Sequence, residues 1–303
     1  MKNKIIIVSL IFFVFSGSMV ACQTSSRLLD LGARAAAAAG VIDQNTADAI
    51  SQSARAIGTA AEEITPEQEY YIGRAVAANI LSGYRIWNGN PTLTNYLNLI
   101  CSAIVINSPR PDVFNGYHVA ILDSNEINAF ATSGGHIFLT RGLINAAKTE
   151  DALAAVIAHE VAHIQLQHSI RAIRTSRITQ ALLITGTSAA GVAAGMNVNE
   201  LTNVFNESVG EIVQTIVNNG YSQSQEFDAD NTAMSLLASA GYNPNALIDM
   251  LNELRSVQTS GTGFGKTHPT PAQRITNAER TVRNHRVADN SSHRQTRFIA
   301  IAR

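Results

Sequence analysis

The feature that most constrains this chain is the run His159-Glu160-Val161-Ala162-His163, set inside a stretch, 149–168, whose apolar residues recur at helical spacing. On a helix, residues four apart share a face one turn apart. His159 and His163 therefore direct two imidazole nitrogens at one point about 2 Å from each, the length of a metal–nitrogen bond. Glu160 stands beside that point, where a carboxylate serves as a general base toward an attacking water rather than as a ligand. The helix itself is well specified. Thr149 can cap it, Glu150 and Asp151 put negative charge in its first turn, and Leu153, Ile157, Val161 and Ile164 form an apolar side turned away from His159. H-E-x-x-H in this setting points to a zinc-dependent hydrolytic centre whose ligands face a cleft while the Ile/Val stripe faces a core.

An open zinc site needs one more protein ligand and keeps a fourth position for water. Glu226 is the candidate, in the helical stretch Ser222-Gln223-Ser224-Gln225-Glu226-Phe227-Asp228-Ala229-Asp230. Asp230 falls four residues on, on the same face, placed to accept the N–H of a ligand histidine and fix its tautomer.

Together with these runs, Asn128-Ala129-Phe130-Ala131, Gly134-Gly135-His136-Ile137, Thr267-His268-Pro269 and Arg274-Ile275 make the chain, from about Thr65 to Arg280, resemble the HtpX and CAAX-prenyl-protease family of zinc metallopeptidases. Within it the chain is most similar to the periplasmic lipoprotein branch (BepA- and LoiP-like), without a C-terminal helical repeat array of the BepA kind. The resemblance implies an endopeptidase with one zinc per chain, acting on misfolded or stalled envelope proteins. It also implies that the strand after Gly134-Gly135 forms the lip of the cleft. Asn128, Ala129, Gly134, Gly135 and His136 would then line the substrate, with an edge strand pairing to an extended peptide backbone.

His268 has three readings. It can stabilise the oxyanion formed as the scissile carbonyl becomes tetrahedral, it can occupy the open metal position as a latch, or it can be a turn residue before a helix cap. The latch is the preferred reading, because Gly261, Gly263 and Gly265 supply a hinge and relatives with the same Thr-His-Pro sequence make it plausible. That glycine run does not read as a phosphate-binding loop, since only three residues separate Gly261 from Gly265 and a helix precedes it. No nucleotide is expected.

A net charge of −1 gives no electrostatic case for nucleic acid. Residues 1–21 read as an export signal, with Lys2 and Lys4 before an apolar core and small residues ending at Ala21. Cys22 follows and would carry a lipid, tethering the chain to a membrane, the outer one by preference, on its periplasmic side. Cys101 then remains as a buried core thiol. Residues 22–64 are Ala-rich, with Gly40 and Asn45 breaking two helical stretches, and read as a tether region.

Thr65-Pro66-Glu67-Gln68 is a capping box, and a helix starts near Asn90-Pro91. Residues 116–123 and 135–140 read as strands. Residues 178–199 lack charge but are diluted by polar and small residues, and read as a packed helix rather than a membrane span. Residues 285–303 read as a basic tail that frays. His118, His168, His285 and His293 receive no role.

The fold expected is α+β and mainly helical: a gluzincin-like zinc-metallopeptidase domain, 65–284, with a small sheet beside the H-E-x-x-H helix. The rival reading is a holdase or assembly factor that binds unfolded envelope proteins in the same cleft with little hydrolysis.

Overall fold

A computed structural model describes residues 20–48, 50–51, 64–171, 210, 213–214, 219–257, 263–268, 271–285 and 291–303. The chain divides into two units, residues 1–64 with 171–204, and residues 65–170 with 205–303. In the first, helix α1 (Val20–Ala38) ends at Gly40, whose φ of +66° suits glycine. Asn45 does not break a second helix as expected. Residues 44–48 are helical, because Asp43 accepts the Thr46 backbone N–H at 2.9 Å and starts them.

The second unit holds the site. Its helix α2 (Pro66–Gly83) opens on the Thr65/Gln68 capping box, and α3 (Pro91–Val105) is capped by Asn90. Three short strands follow: β1 (His118–Leu122), β2 (Ala129–Thr132) and β3 (His136–Thr140). Their order is β1-β3-β2, with β1 parallel and β2 antiparallel to β3. A short helix α4 (Arg141–Ala146) leads into α5 (Glu150–Gln165), which Thr149 caps by accepting the Ala152 N–H at 3.0 Å. Then come α6 (Gln223–Ser239), α7 (Asn245–Val257), the single turn α8 (Phe264–Thr267), α9 (Pro271–Thr281) continued by a 3-10 turn at Val282–Asn284, and α10 (Ser291–Ala302).

Helix α5 is the axis of this unit, packed by α6, α7, α3, α10 and β2. Every residue from Ala152 to Ile164 is buried, the ligand face included. The expectation of one apolar side and one cleft side therefore undercounts the cover on this helix. Cys101 lies in the same core, and burial pushes its thiol up to about 12.

Two other expectations change. The strand after Gly134-Gly135 is not an edge: β3 is the middle strand and hydrogen-bonds on both sides, so the edge nearest α5 belongs to β2. Of the expected tail, residues 286–290 lie outside the described residues, while Ser291–Ala302 form α10 and do not fray. Phe298 on α10 is buried against α5 and α3, while Arg294 and Arg297 pair with Asp151 and Glu150 at the start of α5. Glu150, fully buried, also accepts the hydroxyls of Tyr96 at 2.7 Å and Tyr242 at 3.2 Å. It thus ties three helices together instead of standing in solvent as a helix-end charge.

Among the described residues no helix is long and apolar enough to cross a membrane. Residues 178–199 lie outside them, as do residues 1–19.

Candidate metal centre

The continuous turns of α5 set His159 and His163 on one face. A second capping box, in which Ser222 and Gln225 exchange hydrogen bonds, starts α6 so that Glu226 falls in its first turn and Asp230 one turn later. His268 arrives from the turn after α8, and Arg274 from α9. One ligand atom from each of His159, His163, Glu226 and His268 lies within 4.8 Å of all the others. His159 Nε2 is 3.1 Å from His163 Nε2 and 3.5 Å from Glu226 Oε2. Glu226 Oε1 is 3.5 Å from His163 Nε2, and His268 Nδ1 is 3.1 Å from Glu226 Oε1 and 3.3 Å from His159 Nε2.

These separations fit a metal. Four donors arranged tetrahedrally about 2.0–2.1 Å from a zinc ion stand about 3.3 Å apart. Two imidazole nitrogens face each other at 3.1 Å, Glu160 Oε1 is buried without a hydrogen bond, and Glu226 Oε2 has ion-pair contacts alone. A divalent cation satisfies such a donor set of two or three imidazoles and a carboxylate better than any single proton.

Around these donors, Asp230 Oδ1 lies 3.0 Å from His159 Nδ1. The guanidinium of Arg274, fully buried, donates Nε and Nη2 to Asp230 at 2.9 and 2.7 Å, and its Nη1 stands 2.9 Å from Glu226 Oε2. Burial opposes charge on both carboxyls. It is outweighed by His268 and Arg274 at Glu226, held well below its usual range, and by Arg274 at Asp230, which is lowered. Burial and Arg274 likewise oppose charge on His159, yet its bonds to Asp230 and Glu226 hold the metal-free imidazole up at about 9. His163 goes the other way, well down, because burial dominates. Glu160 is pushed up by burial. The metal-free site is therefore buried, its two low carboxylates countered by Arg274 and by the charge on His159.

The residues expected at the cluster separate into two groups. His159, Glu160, His163, Glu226, Asp230 and His268 come together. Gly134, Gly135 and His136 do not. The two glycines, at φ +77° and +99°, make the buried β2–β3 turn, where an added Cβ would meet Tyr70 Cα at 2.5 Å or Gly116 O at 2.2 Å. His136 stacks on Tyr70 with ring centroids 5.4 Å apart. Neighbouring backbone fills the space where a substrate lip was expected.

Asn128 is buried, and its Oδ1 accepts the Thr267 hydroxyl at 3.1 Å and the Ala129 N–H at 2.9 Å. Its contact is thus with the residue before His268. The same segment is fastened by Phe264 N–H to Ile127 O at 2.8 Å and by Tyr221 N–H to Thr267 O at 3.3 Å. Gly263, at φ +56°, permits the first of these, since a Cβ there would come within 2.7 Å of Ile127 O. Of the glycine arm, the described part is docked, and Gly261 and Thr262 lie outside the described residues.

Three contributors carry no role in the sequence reading. Arg274 shares a helical stripe with the buried Ala278, and an arginine on an apolar face is the signal that could have marked it. Tyr221 stacks on His163 at 4.1 Å, and His168 lies behind that ring. Both are placed by turns rather than by helical spacing.

The model of peptidase family M48 matches residues 92–282, more than half of the chain. This chain belongs to peptidase family M48. The M48 match holds all of the metal-cluster residues within one family domain. The chain is 29% identical over 243 residues to a putative beta-barrel assembly-enhancing protease of Vibrio cholerae, a match covering 76% of this chain and 47% of that protein. It is 28% identical over 152 residues to the metalloprotease LoiP of Escherichia coli, covering 50% and 57%. It is also 28% identical over 193 residues to the mitochondrial metalloendopeptidase OMA1 of Schizosaccharomyces pombe, covering 63% and 53%. The chain thus spans about half the length of these relatives.

Proposed function

We propose that this M48 chain is a zinc endopeptidase acting on unfolded or misassembled proteins of the cell envelope, anchored to the outer membrane through Cys22. The observation that carries the hydrolytic part is the buried cluster of His159, His163 and Glu226 with Glu160 at its side. One zinc per chain, held by those three ligands, would supply a Lewis acid that polarises the scissile carbonyl and acidifies water.

The remaining work falls to the chain's own groups. Glu160 takes the water's proton on its carboxylate, whose Oε1 makes no hydrogen bond at rest, and passes it to the leaving amine. Burial suits it to that exchange, because a carboxyl held above its ordinary range accepts a proton more readily than an exposed one. Asp230 orients His159. The substrate backbone extends along β2. Asn128 O accepts the Thr140 N–H, so by alternation Ala129 and Ala131 turn their peptide groups away from β3, to a side that pairs with no strand among the described residues and is buried at rest. His268 is a latch over the centre, its Nδ1 among the ligand atoms at rest.

The envelope substrates rest on the relatives' names, beta-barrel assembly-enhancing protease foremost. Degradation of casein by the purified protein, abolished by chelator and restored by zinc, tests the reading; no metal uptake would sink it. In Glu160→Gln, zinc and fold should persist while hydrolysis disappears. If that variant still supports envelope assembly in cells, the holdase reading takes its place. Cys22→Ser should move the protein from the membrane to the soluble fraction.

A further inference from the structure

We propose that His168 is a positioning residue for the metal centre: it accepts the Nδ1–H of His163 and thereby fixes the tautomer that leaves His163 Nε2 bare toward the other ligands. The inference rests on the reading of His163 as a ligand.

The two Nδ1 atoms are 2.9 Å apart, and both rings are buried, His168 at 2% exposure. Two imidazole nitrogens at that distance share one proton, so one donates and the other accepts. The bond lies at the rear of His163, away from the Nε2 that faces His159 and Glu226. A proton held at Nδ1 therefore leaves Nε2 with its lone pair free for a cation. At His159 the rear nitrogen already has a partner, the carboxylate of Asp230 at 3.0 Å. The two ligand imidazoles are thus braced in the same way, one by an anion and one by a neutral ring. His168 is not itself a ligand, because the donors that converge are His159, His163, Glu226 and His268.

The backbone is shaped for this contact. Helix α5 ends at Gln165, and Gln167 takes a φ of +53°, the one non-glycine residue with positive φ among the described residues. Left-handed backbone at a residue with a Cβ is disfavoured and persists where its surroundings enforce it. Here Gln167 N–H donates to Ile164 O at 3.0 Å, and its side-chain amide donates to the buried Glu69 at 3.0 Å. Glu69 is also paired with Arg110, which reaches Ile164 O as well. Had the helix continued, His168 would have pointed away from the ligand face; the turn at Gln167 folds it back onto His163. Tyr221, stacked on His163 at 4.1 Å, keeps that ring from rotating out of line.

The test uses the full chain and zinc titration against a chromophoric chelator, with His168→Leu, which lacks an acceptor, and His168→Asn, whose Oδ1 stands near the lost Nδ1. His168→Leu should bind zinc about 10- to 100-fold more weakly and change the visible spectrum of the cobalt-loaded protein, while His168→Asn should stay within about threefold of wild type. Equal affinity in all three proteins, or equal loss in both variants, overturns the proposal. So does a lowered melting temperature of the metal-free variants with unchanged zinc affinity, the pattern of packing alone. Should His168→Leu fail to fold, the imidazole 15N resonances of the zinc-loaded wild type decide: His168 Nδ1 unprotonated is expected, and a protonated one overturns the assignment. A wild-type protein that takes up no zinc overturns the metal reading itself, an outcome distinct from any of these.

Discussion

Arg274 explains how so much acid is tolerated without solvent. Glu160, Glu226 and Asp230 are each at 1% exposure or less, and one guanidinium, itself at 0%, pairs with two of them. Removing one partner of a buried ion pair costs about 3–5 kcal/mol, because the other charge stays behind. Arg274→Met should therefore lower the unfolding free energy of the chelated protein, read from urea titration, by that order, and an unchanged value would show that the carboxylates are neutral or hydrated in solution. The histidine charge gives a second expectation. With the metal-free folded His159 held at about 9 against an ordinary 6.5, its contribution to stability is complete below pH 6.5 and is lost as pH rises through 9. Urea unfolding of chelated protein across that range should show the decline, and Asp230→Asn should flatten it. His159, His163, Glu226 and Asp230 were legible because each pair sits four apart on an uninterrupted helix. Arg274, Tyr221 and His168 were not, because a docked helix and two turns set their positions, and no spacing rule runs through a loop.

Element by element, the lesson is that sequence reads an element's existence better than its neighbours. The reading of residues 135–140 as a strand is silent on whether both of its edges are taken, and here β1 and β2 take them, leaving β2 at the margin of the sheet among the described residues. The glycines before β3 read as a ligand-approach motif, yet they serve the close contact of the turn with Tyr70 and Gly116. A basic, Ser-containing C-terminus looks like a fraying tail unless Phe298 and Ile301 are read as a stripe. Their burial or partial burial, with Arg294 and Arg297 reaching Asp151 and Glu150, makes α10 a brace on the first turn of the ligand helix. Phe298 is 1% exposed, and cutting a buried Phe to Ala costs about 3–5 kcal/mol. Phe298→Ala should lower the thermal midpoint accordingly while leaving casein cleavage intact well below it. A wild-type midpoint in that variant would mean that α10 does not dock in solution.

At the scale of the whole molecule, the described residues of the M48 unit bury the side chains of its centre, so a substrate needs some of that cover to move. His268 is 2% exposed, stacked on Phe264 with ring centroids 4.4 Å apart, and lies 3.4 Å from Glu160 through Nε2. It therefore stands against the proposed base. Its segment is fastened at Ile127 and Asn128, immediately before the β2 edge along which a substrate backbone would extend. A peptide pairing with β2 thus arrives beside the fastening, which gives a physical route from substrate binding to release of the imidazole. The expectation is that His268→Ala raises the steady-state rate of casein cleavage and broadens the set of proteins cut, since the resting block is removed while His159, His163, Glu226 and Glu160 remain. If His268 instead stabilises the oxyanion, the same variant should lose roughly 100-fold or more in turnover. If it is only a turn residue, the rate should not move. Thr267→Val separates these outcomes further, because it removes the hydroxyl that Asn128 accepts but leaves the imidazole in place. A latch loosened in that way should show a partial rise in cleavage, whereas an oxyanion donor set adrift should show a partial fall.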